Sequence, residues 1–229
     1  MDKPFDFLVE RQEDLVAAVE RFGIVPLFRG SIPGFSVEEH VSPRAWFSDE
    51  EGVWEWKGPV IRAAGCAYGK FFEKKAAFVS REVFPDLANL RRDGYDFDAR
   101  FDDGLASFAD RDLYNYIDKN QPVDTRKLKE AFGGGKRGGA AKKGFETSLA
   151  RLMAQCYVVI GDFRYSLDRN GRPYGWGIAE YVTPERLMGA AFSERVYARE
   201  PEESLLRLLR LLRSLLPDAS EKALLRFLR

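Results

Sequence analysis

The clearest pattern in this 229-residue chain is the recurrence of hydrophobic residues at helical spacing. Residues 10–22 place an apolar side chain at nearly every third or fourth position, and Gly23 then provides a stop signal. Shorter helices are predicted over residues 36–47 and 69–77. Gly58-Pro59 predicts a turn between them, because neither residue favours a helix interior. The first part of the chain is therefore predicted to contain short helices separated by turns.

The middle of the chain carries three helix patterns with recognisable ends. Ser107 is a suitable cap for the first, and Pro122 forces its end. Either Asp124 or Thr125 caps the second, and a glycine-rich segment follows it. The third is predicted over residues 145–156. Its apolar face consists of Phe145, Leu149, Leu152, Met153 and Cys156.

Two strands with alternating hydrophobicity follow the third helix and flank the dipeptide Asn170-Gly171. Asn-Gly is the strongest sequence signal for a two-residue hairpin turn. Folding the chain at this dipeptide brings Tyr165 opposite Trp176 and places the apolar residues of both strands on one face. The other apolar pairs in this predicted register are Leu167 with Tyr174 and Phe163 with Ile178.

Three helices followed by a hairpin predict a winged helix, a form of the helix-turn-helix fold, with residues 145–156 as the recognition helix. The predicted fold class is α+β and mostly helical, with a winged-helix domain at residues 105–190. An N-terminal region at residues 1–104 and C-terminal amphipathic helices at residues 191–229 complete the predicted organisation.

A leucine-rich amphipathic helix is predicted over residues 202–216. Its leucines match the a and d positions of a coiled coil for only two heptads, fewer than a stable coiled coil needs. Packing against the rest of the chain is the favoured interpretation. Pairing with a second copy in a homodimer is the alternative.

The composition is that of a globular protein, with 45% hydrophobic and 31% charged residues. No apolar run approaches the length of a membrane span, and the first residues lack the features of a secretory signal. Two cysteines, Cys66 and Cys156, indicate reduced, buried thiols and a cytoplasmic location. A single histidine, His40, excludes a histidine-based metal cluster. No metal ion or cofactor is predicted.

The 36 basic and 36 acidic residues balance, but they are unevenly distributed. Residues 1–60 are predominantly acidic, whereas residues 124–151 contain eight basic residues and three acidic ones. A polyanion would be attracted to the second segment and repelled by the first. The alternative interpretation is that both segments are ordinary solvated surfaces.

Two smaller clusters have weaker interpretations. Five aspartates within residues 93–103 do not match the spacing of an EF-hand loop, so an acidic surface is favoured over a cation site. Trp54 and Trp56 lie two residues apart and would share one face of an extended segment. Core packing is the favoured interpretation of these tryptophans, and base stacking is the alternative.

Three stretches of the sequence resemble one known family. They are residues 22–47, residues 145–184 and, most distinctively, residues 68–92, which read YGKFFEKKAAFVSREVFPDLANLRR. The chain is similar there to the AlkZ/YcaQ family of bacterial winged-helix DNA glycosylases, and most similar to the sequences described as AlkZ-related. The resemblance implies tandem winged helices, a connection with DNA repair and duplex DNA as the partner.

The family glycosylases carry a Gln-apolar-Asp or Gln-apolar-Gln motif just before the segment that matches Ser31-Ile32. The corresponding positions here are Phe28, Arg29 and Gly30, which supply neither the amide nor the carboxylate. The resemblance therefore identifies no catalytic residue in this chain. The first functional prediction is a DNA-binding protein without base-excision activity.

Two alternatives remain open. One is an active DNA glycosylase whose carboxylate has moved, to Glu38 or Glu39; the other is a winged-helix module that binds a protein. The predicted nucleic-acid contacts come from the glycine-rich loop, the third helix and the hairpin tip. They are Lys136, Arg137, Lys142, Lys143, Thr147, Ser148, Arg151, Gln155, Arg169 and Arg172.

Overall fold

A computed structural model describes residues 5–46, 51–133, 144–167, 169–170 and 173–229 of the chain. Its helices are α1 (Gln12–Phe22), α2 (Pro43–Trp46), α3 (Val53–Ala64), α4 (Phe84–Arg92), α5 (Phe97–Asp102), α6 (Phe108–Asn120), α7 (Thr125–Phe132), α8 (Phe145–Ala154), α9 (Pro184–Met188), α10 (Ala190–Val196), α11 (Pro201–Leu215) and α12 (Glu221–Leu228). A short 3₁₀ helix lies at Val37–Glu39. The strands are β1 (Ile24–Pro26), β2 (Ala67–Phe72), β3 (Lys75–Val79), β4 (Val123–Asp124), β5 (Val159–Leu167) and β6 (Pro173–Val182).

Within these described ranges, the six strands form one antiparallel sheet in the order β1-β3-β2-β5-β6-β4. The chain builds this sheet twice in the same way, because α1-β1-α2-α3-β2-β3 is followed later by α6-β4-α7-α8-β5-β6. In each half the first strand pairs with the third, and the halves join where Tyr68 of β2 pairs with Ile160 of β5. The predicted α+β class is confirmed.

One cluster of buried hydrophobic side chains extends through both halves and into the C-terminal helices. The predicted division after residue 104 falls between the halves, but the sheet and this core both continue across it. The division into three domains stays a prediction. Cys66 and Cys156 are both free and fully buried, and burial raises the pKa of each thiol to about 12.

The helix predicted over residues 69–77 is wrong, because this segment forms the β2–β3 hairpin. Phe72 pairs with Lys75, so Glu73 and Lys74 form a two-residue turn with φ of 50° and 60°. Positive φ at both central positions is the geometry of the type I′ hairpin turn, which usually selects Asn and Gly. The sequence therefore gave no turn signal here. An apolar run covered on both faces also lacks the alternation that identifies a strand.

The turn predicted at Gly58-Pro59 is also wrong, since both residues lie inside α3. Trp54 and Trp56 are accordingly on a helix and not on an extended segment. Trp56 is buried, and the half-buried Trp54 lies 5.3 Å from Trp46 between ring centres. Core packing therefore describes these rings better than a surface for base stacking.

The β5–β6 hairpin is present, but its register differs from the predicted one. Phe163 pairs with Ala179 and not with Ile178, while Tyr174 pairs with Ser166 and not with Leu167. The ladder is irregular at two places along β5, and a β-bulge shifts all the pairing that follows it. Strict alternation of apolar residues contains no signal for such an insertion.

The predicted pair of Tyr165 with Trp176 does not occur in the observed ladder. Tyr165 lies at an irregularity, and a Cβ at Gly177 would be only 2.8 Å from its ring. Close packing of this ring therefore requires glycine across the ladder. Gly171 lies outside the described residues, so the two-residue turn at Asn170-Gly171 stays a prediction.

The side chain of Arg92, at the end of α4, is 1% exposed and links three parts of the chain. It donates hydrogen bonds to the carboxylate of Glu185 at 2.8 Å, the hydroxyl of Tyr197 at 2.7 Å and the carbonyl of Cys156 at 2.8 Å. Its guanidinium carbon also lies 4.6 Å from the ring centre of Tyr157. This single side chain therefore connects α4 with the α8–β5 junction and with α9 and the end of α10.

The leucine-rich helix α11 packs against α4 of the same chain, which confirms the favoured interpretation. A polar contact fixes its position: the buried carboxylate of Asp86 accepts hydrogen bonds from Arg207 at 2.8 Å and Ser204 at 3.2 Å. Pairing with a second copy stays a prediction. The leucines that α11 buries are Leu208, Leu209, Leu212 and Leu215.

Candidate nucleic-acid interface

Helix α8 and its C-cap carry four of the predicted contact residues, and they differ in exposure. Thr147 is exposed, Arg151 keeps 46% of its side chain exposed, and Gln155 is half-buried. Ser148 is only 4% exposed, so the expectation that it belongs to an open polar face is wrong. The exposed polar surface of α8 is therefore narrower than predicted.

Asp110 of α6 explains both the burial of Ser148 and the position of Arg151. Its carboxylate accepts hydrogen bonds from the hydroxyl of Ser107 at 2.7 Å and from Arg151 at 2.5 Å. Burial alone would raise the pKa of Asp110, but hydrogen bonds from Ser107, Ser148 and Arg151 lower it below the usual value. This cluster holds α6 against α8.

Replacing Asp110 with asparagine is expected to lower the free energy of unfolding by about 2 kcal/mol at pH 7, because hydrogen bonds to a charged acceptor are lost. Since folding lowers the pKa of Asp110, its contribution is present above the unfolded value of about 3.9 and is lost as the pH falls below it. Urea unfolding at several pH values measures the difference. Asp102→Asn, an exposed aspartate, is the matched control. A difference that persists unchanged at low pH would contradict the assignment.

A groove beside the hairpin adds two arginines that the predicted set of contacts omitted. Arg126, at the start of α7, and Arg164, on β5, line a depression of about 470 Å³ together with Ser166. The guanidinium of Arg126 donates to the hydroxyl of Ser166 at 3.5 Å. The sequence pattern does not show that Arg126 and Arg164 share one depression, because the two arginines are far apart along the chain.

The remaining predicted contacts can be placed only in part. Arg169 is exposed in the turn that follows β5. The other basic residues lie outside the described ranges, and they are Lys136, Arg137, Lys142, Lys143 and Arg172.

The loop at Phe28–Ser31 contains the residues that the sequence resemblance matches to the family's catalytic motif. The backbone N–H of Arg29 donates to the Glu38 carboxylate at 2.8 Å, and that of Ser31 donates to Glu73 at 3.0 Å. The ammonium group of Lys75 donates to the carbonyl of Arg29. Two carboxylates and one ammonium group therefore hold the backbone of this exposed loop.

The carboxylate of Glu39 holds the chain at Gly34 and Ser36 in the same way. It accepts from the backbone N–H of Gly34 at 2.9 Å and from the hydroxyl of Ser36 at 2.7 Å. Both carboxylates that the sequence suggested as relocated catalytic groups therefore make local backbone contacts. These contacts fix the conformation of the loop.

Glu73 is a third carboxylate beside this loop, and it lies next to Gly30. A Cβ at Gly30 would lie 2.6 Å from its Oε2 atom, so a larger residue at position 30 would displace this carboxylate. Burial acts to raise the pKa of Glu73, but hydrogen bonds from Ser31 and the charges of Lys75 and Arg226 lower it. The cavity beneath this loop has a volume of about 10 Å³, which is room for about one water molecule.

Comparison with known proteins decides the family. A family model described as AlkZ related matches residues 9–229. The chain belongs to the AlkZ-related family. No curated protein and no solved structure matches it.

The AlkZ-related match extends well beyond the three stretches that carry the resemblance. It includes the C-terminal helices α11 and α12. These helices are therefore part of what the AlkZ-related family model describes.

None of the described helices combines the length and the hydrophobicity needed to cross a membrane. In the same ranges, no group of three or more His, Cys, Asp or Glu side chains is arranged to hold a metal ion.

Proposed function

We propose that this AlkZ-related protein binds duplex DNA through the side formed by α7, α8 and the β5–β6 hairpin, and that it does not excise bases. The observation that carries this proposal is the element order α6-β4-α7-α8-β5-β6, with β4 paired to β6. This is the order of a winged helix, in which α8 takes the position of the recognition helix and the hairpin that of the wing. The same order in α1-β1-α2-α3-β2-β3 supports a tandem arrangement.

Positive charge on this side supports duplex DNA as the partner. Arg126 and Arg164 come from α7 and β5 and line one depression, and Arg169 is exposed in the turn that follows β5. Arginine guanidinium groups bind phosphate oxygens through paired hydrogen bonds, and such contacts position a protein on the duplex without reading its sequence. The acidic N-terminal segment opposes binding, so we expect an affinity no tighter than micromolar, within the range of non-specific binding.

The proposal is tested by titrating labelled duplex DNA with the full chain at about 50 mM and about 200 mM salt. Six phosphate contacts from the predicted set, Lys136, Arg137, Lys142, Lys143, Arg151 and Arg172, would give a log–log salt slope of about −5. With two further contacts from the groove arginines, Arg126 and Arg164, the slope would be about −7. An absence of binding at about 50 mM salt, where such contacts are strongest, would overturn the proposal and favour a module that binds a protein.

The groove arginines provide a sharper form of this test. Reversing Arg126 and Arg164 to glutamate is expected to weaken binding at least tenfold and to reduce the magnitude of the salt slope by about 2, because each phosphate contact contributes about 0.9. The matched control reverses Arg21 and Lys222, which are exposed on α1 and α12. Equal losses in both double variants would show that only overall charge matters.

A second candidate function is base excision, and the position of Glu73 is the observation that favours it. Its exposed, ionised carboxylate reaches the loop that corresponds to the family motif. No glutamine amide stands at residues 28–30 to position a water molecule, which is why we place this function second.

We expect no base release from duplexes that carry bulky N7-alkylated guanine, scored by strand cleavage after alkaline treatment. Reactions without protein give the background. Turnover that disappears in Glu73→Gln and survives in Glu82→Gln, an exposed glutamate, would instead establish the second function. This assay is independent of the binding measurement, because a protein can bind the duplex without cleaving it.

A further inference from the structure

A concave site lies where the C-terminal end of α8 meets α4, α11 and α12. Its volume is about 370 Å³, which is within the range of sites for small molecules. Leu90, Leu205, Leu225 and Leu228 supply apolar walls from three different helices.

Three of the leucines that line this site remain partly exposed. Leu90, Leu205 and Leu225 are each half-buried, although α11 and α12 bury neighbouring leucines on the same helices almost completely. Convergence of partly buried apolar side chains around one depression is the usual arrangement of a ligand pocket. The pocket therefore offers an apolar body a surface that is already formed.

The positive charge of the residues that line the pocket favours a ligand with a negative charge. Three arginines line the pocket, and no acidic side chain is found among its described lining residues. Arg91 already donates to the carbonyl of Phe71 at 2.7 Å and to the main-chain carboxylate oxygen of Arg229 at 2.9 Å. Arg151 uses one nitrogen for Asp110, and 46% of its side chain stays exposed. A guanidinium has five N–H donors, so Arg151 can also bind an anion.

We propose that this pocket binds a small organic anion that has an alkyl or aryl body and one carboxylate or sulfonate group. The body lies on Leu90, Leu205 and Leu225, and the anionic group binds at Arg151, near the amide of Gln155. The assignment shares Arg151 with the proposed DNA contacts but does not rest on them, because it is argued from the leucines and arginines that line this pocket.

The test uses anilinonaphthalene sulfonate, an aryl sulfonate whose fluorescence rises in an apolar site. We expect saturable binding at one site of the full chain, with displacement by decanoate as the alkyl carboxylate. Leu205→Trp fills the pocket and is expected to weaken binding at least tenfold. Leu206→Trp, on the same helix at a position that is 59% exposed, is the matched control and leaves binding unchanged.

A second comparison separates the anionic group from the apolar body. Arg151→Gln is expected to weaken binding of the sulfonate about tenfold and to leave binding of uncharged phenylnaphthylamine unchanged. If Arg151→Gln fails to fold, the two tryptophan variants still decide the question. Equal affinity in Leu205→Trp and Leu206→Trp, or no saturable binding by the wild-type chain, would overturn the proposal.

Discussion

Replacing Arg92 with methionine is expected to lower the free energy of unfolding by about 4 kcal/mol, because breaking a buried ion pair leaves its partners unsatisfied. Methionine keeps much of the aliphatic volume but removes every donor to Glu185, Tyr197 and the carbonyl of Cys156. Cys156 has a φ of 61°, a conformation that non-glycine residues rarely adopt, and Arg92 holds its carbonyl. The substitution therefore also removes a contact that holds Cys156 in this conformation.

Thermal and urea unfolding measure this effect. A loss of about 4 kcal/mol corresponds to a decrease in Tm of about 12 °C for a chain of this size. Arg186→Met is the matched control, because Arg186 is an exposed arginine one position after Glu185. Similar stability of the two variants would mean that the buried arginine contributes no more than a surface one.

Replacing Phe227 with alanine is expected to lower the free energy of unfolding by about 4 kcal/mol, since large-to-small substitutions of buried aromatic residues create a cavity. Phe227 is 3% exposed and stacks on Phe72 with 4.3 Å between ring centres. It also contacts Phe35 edge-on at 5.4 Å. Its loss would release α12 from the segment that follows the Phe28–Ser31 loop.

Urea unfolding gives the size of the effect, and limited proteolysis reports its location. We expect the first new cleavage within residues 28–34, because this loop borders the cavity that Phe227 closes. Leu206→Ala, which truncates a side chain that is 59% exposed, is the control. Unfolding without any earlier local cleavage would contradict the assigned position of α12.

Elements with strong helical periodicity were predictable from the sequence. The apolar face assigned to residues 145–156 contains Leu149, Leu152, Met153 and Cys156, and all four are buried. The caps at Ser107 and Asp124 also occur, with hydrogen bonds from Asp110 and Lys127. Local patterns are sufficient for such elements because each depends on residues within one or two helical turns.

The features that escaped prediction depend on contacts between distant residues or on backbone irregularities. Ser148 fits a polar helix face by spacing, and only the packing of α6 shows that Asp110 buries it. Residues 69–77 show no alternation because both faces of their strands are covered, and Glu73-Lys74 is an unusual pair for its turn. The position of Glu73 beside Gly30 follows from that turn and was equally hidden.

The sheet order β1-β3-β2-β5-β6-β4 is the order that two copies of one unit give when they meet edge to edge across a two-fold axis. The seam between β2 and β5 then occupies the place that the interface between two such units would occupy. Each half expressed alone would expose one of these strands as an open edge, and open edges pair with other chains. Joining the halves in one chain converts that edge into an internal contact.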